Sequence, residues 1–274
     1  MKNISFTKMS GAGNDFIMID SDDNPEFLPS VNSIQNLCDR RNGIGADGVI
    51  LISSSEQYDF VMNYYNADGS TGSLCGNGAR CAIKFAADTN RLKNKSAKFL
   101  SNNSEYSGEI LEDRTIRFNL NPPCDLRKNI QLKVAGKDMT AHFINTGSPH
   151  VVIMVEDLNK ISVERIGKEI RNLTEFAPGG TNVNFVNIVN EEIHIRTYER
   201  GVEGETLACG TGSVAAAIIC HITDGIKPPA TILPGSKDKL FVNFNVRNNE
   251  FSNVSLTGPV VEVYKGQFKI NLVE

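Results

Sequence analysis

The sequence predicts an α+β fold of two pseudo-symmetric domains, each a curved, mostly antiparallel sheet wrapped around a central helix. Three observations lead there. Strand-like runs outnumber helical ones. Two of the few helical segments, starting near Asn77 and Thr211, are apolar on most faces, and such a helix is buried on most faces. These two segments also share a preface: GSLCGNGARCAIKFAAD over 72–88 and ETLACGTGSVAAAIICHITD over 205–224. Each reads small–Cys–Gly–Xaa–Gly–small before an apolar helix. Cys75 and Cys209 lie about half of the 274-residue chain apart, a period that fits two copies of one fold.

The elements follow in order. β-branched and aromatic runs predict strands at Phe16–Asp20, Gly48–Ser53, Asp59–Tyr65 and Thr115–Leu120. A helix over Ser30–Arg41 opens on a Ser cap. The first central helix covers Asn77–Thr89, with Lys84 its main interruption. Glu112-Asp113-Arg114 suits a hairpin turn. Asn121-Pro122-Pro123 then punctuates the chain, because Pro removes a donor and breaks strand pairing. Beyond it, strands are predicted at Met139–Asn145, Val151–Glu156, Asn184–Val189, Ile193–Glu199, Leu240–Val246 and Val260–Tyr264. Val163, Ile166 and Ile170 give Ser162–Asn172 helical spacing, and the second central helix covers Thr211–Thr223. A second turn is expected at Asn248-Asn249. Leu256-Thr257-Gly258-Pro259 marks a return crossing. The predicted domains are residues 1–120 with 260–274, carrying Cys75, and 121–259, carrying Cys209.

Composition narrows the function. With 28 Lys and Arg against 32 Asp and Glu, the net charge is -4, so no global basic field invites nucleic acid or an anionic membrane. The N-terminus has no apolar stretch suited to a signal peptide. No run approaches the ~18 apolar residues of a membrane span. A cytoplasmic protein with reduced thiols is expected. Hydrophobic residues, at 40%, suffice for a core without disulfide staples. No CxxC pair occurs and the His residues (142, 150, 194, 221) are scattered, so no metal site is expected.

The chemistry centres on the two Cys-Gly-Xaa-Gly turns. Glycines permit close approach of a ligand to the backbone. The helix that follows leaves N–H groups without intrahelical partners, and these with the dipole favour an anion. A Cys at that junction favours its thiolate. Alone, such a Cys reads as a small buried hydrophobe; its repetition in both halves argues for a functional pair. Two thiols flanking one carboxylate could invert its α-carbon, one removing the proton and the other returning one on the opposite face. The donors that hold the carboxylate would also stabilise the charge that develops on it. Cys38, Cys81, Cys124 and Cys220 carry no motif and read as packing residues.

At these residues the chain resembles the diaminopimelate epimerases, cofactor-independent amino-acid epimerases of lysine and cell-wall biosynthesis. The stretches that carry the resemblance are KMSGAGNDF (8–16), DRRNGIGADG (39–48), NADGSTGSLCGNGARC (66–81), NTGSPH (145–150), TNVNF (181–185) and YERGVEGETLACGTG (198–212). It spans essentially the whole length and implies that family's two-domain fold, with the last strand returning to the first domain. It also implies interconversion of LL- and meso-diaminopimelate without cofactor or metal. By resemblance, Cys75 and Cys209 are the acid/base thiols, and Gly76, Asn77, Gly210 and Thr211 hold the reacting α-carboxylate. Asn14, Asn66, Ser148, Asn182, Glu199 and Arg200 stand at substrate-contacting positions, and His150 and Glu199 at positions that tune the thiols. A homodimer is common in the family. Three departures bear on the distal end of the substrate: Ser148 where Asn is frequent, Gly48 where some members have Gln, and a Gly201–Glu205 loop one residue longer than in many. The competing readings are a proline racemase-like enzyme, a thiol–disulfide exchange protein, and a non-catalytic amino-acid binder.

Overall fold

In the computed structural model, which describes residues 2–72, 74–248 and 250–270, the chain divides into two units: Met1–Phe118 with Pro259–Glu274, and Asn119–Gly258. The first unit runs β1 (Lys2–Gly11), β2 (Asn14–Asp20), α1 (Val31–Cys38), β3 (Gly48–Ser53), β4 (Phe60–Asn66), α2 (Gly76–Asp88), β5 (Ser96–Ser101), β6 (Ser104–Ile110) and β7 (Ile116–Asn119). The second runs β8 (Cys124–Val134), β9 (Lys137–Asn145), β10 (Pro149–Met154), α3 (Val163–Arg171), β11 (Asn182–Val189), β12 (Glu192–Glu199), β13 (Gly204–Thr206), α4 (Gly210–Asp224), β14 (Ala230–Leu233), β15 (Leu240–Arg247) and β16 (Glu250–Gly258). Strand β17 (Val261–Ile270) then pairs antiparallel with β1.

The two units repeat one order of connections. In the first, β1–β2 is antiparallel, β2–β3 parallel, β3–β4 antiparallel, β4–β5 parallel and β5–β6 antiparallel. In the second, β9–β10, β10–β11, β11–β12, β12–β14 and β14–β15 follow the same alternation. A parallel neighbour cannot be reached by a tight turn, so a crossover is needed. Each crossover holds a helix: α1 and α3 at the first, α2 and α4 at the second. Each sheet is therefore mixed, antiparallel in most of its pairs.

Alternation along the strands assigns the faces. In the second unit Val151, Ile153, Val183, Phe185 and Tyr198 join a core that includes Val163 and Ile170 of α3. The alternate positions, His150, Val152, Asn182, Asn184, Val186, Ile195 and Thr197, belong to the opposite face, and α4 packs against β10, β11 and β12. In the first unit Ile17, Ile19, Val49 and Leu51 pack with Ile34 and Leu37 of α1. Phe16 and Ile50 reach toward Gly78 of α2. Both central helices are buried along most of their length.

Several elements depart from the sequence reading. Helix α1 stops at Cys38 rather than Arg41. Asp39 leaves the helical region, and its carboxylate accepts from the N–H of Arg41 and Asn42, each at 2.7 Å, closing a turn instead. The Ser30 cap is present, accepting from Ser33 N–H at 3.2 Å. Strands β1, β5, β6, β8, β13, β14 and β16 were not expected. In β8, Leu132 and Val134 are the buried residues, so little hydrophobic pattern announces it. The turn at 112–114 is closed by Leu111 N–H donating to Thr115 O at 2.9 Å. Of the other predicted turn, Asn249 lies outside the described residues, while Arg247 pairs with Glu250. Cys124 is exposed at the first position of β8 and is no packing residue; Cys38, Cys81 and Cys220 are buried. Among the described residues no helix is long and apolar enough to cross a membrane.

Candidate functional site

Each unit places its cysteine at the N-cap of its buried helix. Cys75 caps α2 with extended backbone, φ -102° and ψ 117°, and Cys209 caps α4 with φ -122° and ψ 116°. Both helices therefore begin one residue earlier than the sequence suggested. Gly76 and Asn77 occupy the first two positions of α2, and Gly210 and Thr211 those of α4. Helix geometry supplies no i−4 carbonyl for N–H groups at such positions. Neither helix has an acidic side chain in its first turn to neutralise the positive end of its dipole. Gly78 N–H donates to Cys75 Sγ at 3.4 Å, a bond that favours the thiolate. The other thiols are different. Burial pushes Cys38 up to about 11, and Cys81 and Cys220 each up to about 12, which keeps all three protonated at neutral pH.

In the first unit a directed chain of amides backs the helix start. Fully buried Arg80 donates to Gly76 O at 3.2 Å and to Asn77 Oδ1 at 3.0 Å. Asn77 Nδ2 donates to Asn14 Oδ1, and Asn14 Nδ2 donates to Asp47 Oδ2 at 3.0 Å. A cation at one end and a carboxylate at the other leave each amide one orientation. Arg40 binds both Asp47 and Asp15, and nearly buried Lys8 bridges Asp15 at 2.7 Å. Burial would raise the Asp15 pKa, but the hydrogen bonds and charges of Arg40 and Lys8 win and hold it at about 2. Asn66 ends β4 in register with Gly48, and its Nδ2 donates to Ser70 Oγ at 3.0 Å. A Cβ on Gly48 would lie 2.5 Å from both the Tyr64 ring and Tyr65 O, so the Tyr64 ring takes the space a longer residue would need.

In the second unit three of the predicted residues, Ser148, His150 and Cys209, converge on Thr211. His150 Nε2 lies 2.9 Å from Thr211 Oγ1 and 2.9 Å from Ser148 Oγ. Ser148 Oγ is 3.2 Å from Thr211 Oγ1, which is 3.6 Å from Cys209 Sγ. Thr146 Oγ1 donates to Thr211 O at 2.9 Å, steadying the same turn. Asn182 Nδ2 donates to Pro149 O at 2.8 Å, and Asn182 Oδ1 accepts from Arg200 N–H at 2.9 Å. Thr206 Oγ1 donates to Glu199 Oε2 at 2.9 Å. His150 is fully buried; desolvation, assisted by the Arg200 charge, holds its pKa down at about 3, so it is neutral in the working range. The Gly201–Glu205 loop is tied down by Glu203, which accepts from Arg171 Nε at 2.8 Å and from Gly201 N–H at 3.1 Å.

Sequence reasoning missed Arg40, Asp47, Arg80, Asn184 and Thr197. The first four lie inside the motif stretches already quoted; Asp47, Arg80 and Asn184 stand one to three residues from Gly48, Asn77 and Asn182, whereas Arg40 has no such neighbour. Thr197 stands just before YERG, and a register argument pairing it with Asn184 would have found it. Among the described residues no cluster of three or more His, Cys, Asp or Glu is arranged to hold a metal ion.

Comparison with known proteins covers the whole length. A family model described as Diaminopimelate epimerase matches residues 6–123 and 142–263. A diaminopimelate epimerase of Chlorobaculum tepidum is 43% identical, covering 94% of this chain and 98% of its own. One from Aquifex aeolicus is 39% identical, over 99% of this chain and 100% of its own. Among solved structures, a phenazine biosynthesis protein of the PhzF family from Bacillus anthracis shares the fold at TM-score 0.77 and 16% identity, over 98% of this chain and 100% of its own.

Proposed function

The chain belongs to the diaminopimelate epimerase family, and on that premise we propose that it interconverts LL- and meso-diaminopimelate without a cofactor, using Cys75 and Cys209 as its two acid/base groups. The observation that carries the assignment of the thiols is their placement: each caps a buried helix, with glycine at the first and third helical positions.

The thiolate of one cysteine takes the α-proton and becomes a thiol. The electron pair left behind spreads into the α-carboxylate. Helix-start N–H groups at Gly76, Asn77, Gly210 and Thr211 hold that carboxylate and stabilise its growing charge. The other thiol gives its proton to the opposite face of the carbon and becomes a thiolate. Atoms and charge balance, and the reverse reaction restores the first state. At the distal end, Arg200 grips the second carboxylate, while Asn14, Asn66, Ser148, Asn182 and Glu199 supply amide, hydroxyl and carboxylate partners. His150 and Glu199 set the protonation of the thiols. A cytoplasmic location, expected from the sequence, is kept in this reading, and a homodimer is carried over from the family resemblance; light scattering of the purified protein reads the second.

The test is incubation of LL-diaminopimelate with the protein and no added cofactor. The meso isomer should form, and Cys75→Ala and Cys209→Ala should each lower the rate about a thousand-fold, within the range of a lost acid/base group. Wild-type turnover in either variant would remove the assignment. Inversion of proline in place of diaminopimelate would favour the racemase-like alternative.

A further inference from the structure

The buried polar atoms behind Cys209 fix one another's hydrogens from the backbone inward. Asn184 is fully buried on β11, opposite Thr197 of β12. Its Nδ2 donates to Val151 O at 2.8 Å, an acceptor that admits only the nitrogen, and Thr197 Oγ1 donates to its Oδ1 at 3.0 Å. The same Nδ2 lies 3.1 Å from His150 Nδ1. That ring nitrogen therefore accepts, and the single hydrogen of the neutral imidazole sits on Nε2. Asn182 is fixed in the same way, by Pro149 O at one end and Arg200 N–H at the other, so its Nδ2 presents a hydrogen to Ser148 Oγ at 3.4 Å.

Ser148 Oγ thus faces two N–H donors, His150 Nε2 and Asn182 Nδ2. His150 Nε2–H, also 2.9 Å from Thr211 Oγ1, accepts from neither hydroxyl, so in the free protein Ser148 turns its hydrogen to Thr211 Oγ1, 3.2 Å away. That leaves the Thr211 hydrogen aimed at Cys209 Sγ. We propose that Asn184 and Thr197 are positioning residues that hold His150 in its Nε2–H tautomer and thereby make the Thr211 hydroxyl a hydrogen-bond donor to the Cys209 thiolate. Such a bond favours the charged form of the thiol. The charged groups nearby are Arg200, which acts on His150, and Glu199, held by Thr206. The proposal deepens the role assigned to Cys209 and rests on that reading, but its test needs no substrate.

Two measurements decide it. In protein labelled with ¹⁵N at histidine, His150 should show an unprotonated Nδ1 and a protonated Nε2 throughout the neutral range. A proton on Nδ1, or an imidazolium at neutral pH, overturns the proposal. Second, the Cys209 thiolate is titrated by its ultraviolet absorbance, as the difference from a Cys209→Ser background. Thr197→Val should leave about tenfold less Cys209 thiolate at neutral pH, the equivalent of one pKa unit, and Thr197→Ser should restore it. Asn184→Leu should lower the Cys209 thiolate as Thr197→Val does and populate both His150 tautomers. Folded Thr197→Val with a wild-type titration contradicts the proposal even if Asn184→Leu fails to fold. Should the tautomer and titrations come out as stated while diaminopimelate is not epimerised, the functional reading fails and the relay stands.

Discussion

Six thiols share this chain, and their surroundings separate them. Three are buried and held protonated by desolvation, one is exposed on a strand, and two stand at helix starts. That division was partly legible. Cys75 and Cys209 stood out because the same four-residue turn recurs, whereas the exposure of Cys124 depends on strand β8, which the sequence hides. Asn184 and Thr197 were not legible for a physical reason. A polar residue at every second strand position reads as a solvent face, but here α4 covers that face. His150 also makes a prediction for stability. An unfolded His takes a proton as pH falls through about 6.5, while the folded one stays neutral down to about 3. The unfolded state therefore binds more protons in that window, and stability falls as pH drops through it. His150→Gln should flatten this slope when urea midpoints are measured against pH; an unchanged slope would show that His150 contributes nothing to it.

The central helices and their turns were legible as elements, since an apolar helix behind a glycine-rich turn is a strong local pattern. The helix starts are not equivalent, and glycine shows it. A Cβ on Gly212 would sit 2.4 Å from Asn184 Oδ1 and 3.3 Å from Cys209 Sγ. A Cβ on Gly78 would meet the far end of the Ile50 side chain at 2.9 Å, which can swing away. Gly212→Ala must displace an amide buried in a satisfied network, at about 1–3 kcal/mol, and should cut turnover by more than about tenfold. Gly78→Ala should be nearly neutral in stability, because alanine recovers about 0.5–1 kcal/mol of helix propensity. Denaturant midpoints and kcat of the two variants check the ranking, and an equal or reversed order would contradict it. At α1, Ser30→Ala removes a side-chain cap and should lower stability by about 1 kcal/mol in the same assay.

At the scale of the whole molecule, the repeat is the feature that the sequence declares most openly and the topology develops furthest. Two similar turns half a chain apart suggested two copies of one fold. The strand pairings extend the echo to five successive connections and to the helix in each crossover. What the turns could not reveal is how much of each unit is polar support: Arg80, Asn14 and Asp47 behind one helix, His150, Asn184 and Thr197 behind the other. In the proposed reaction each copy of the fold contributes one of the two thiols. The most direct test follows LL-diaminopimelate in deuterated water at early times, with product and recovered substrate separated. Two thiols working on opposite faces predict deuterium at the inverted carbon of the meso product and protium retained in the recovered LL isomer. Deuterium entering both pools equally from the start would mean that a single group serves both faces, and would contradict the account.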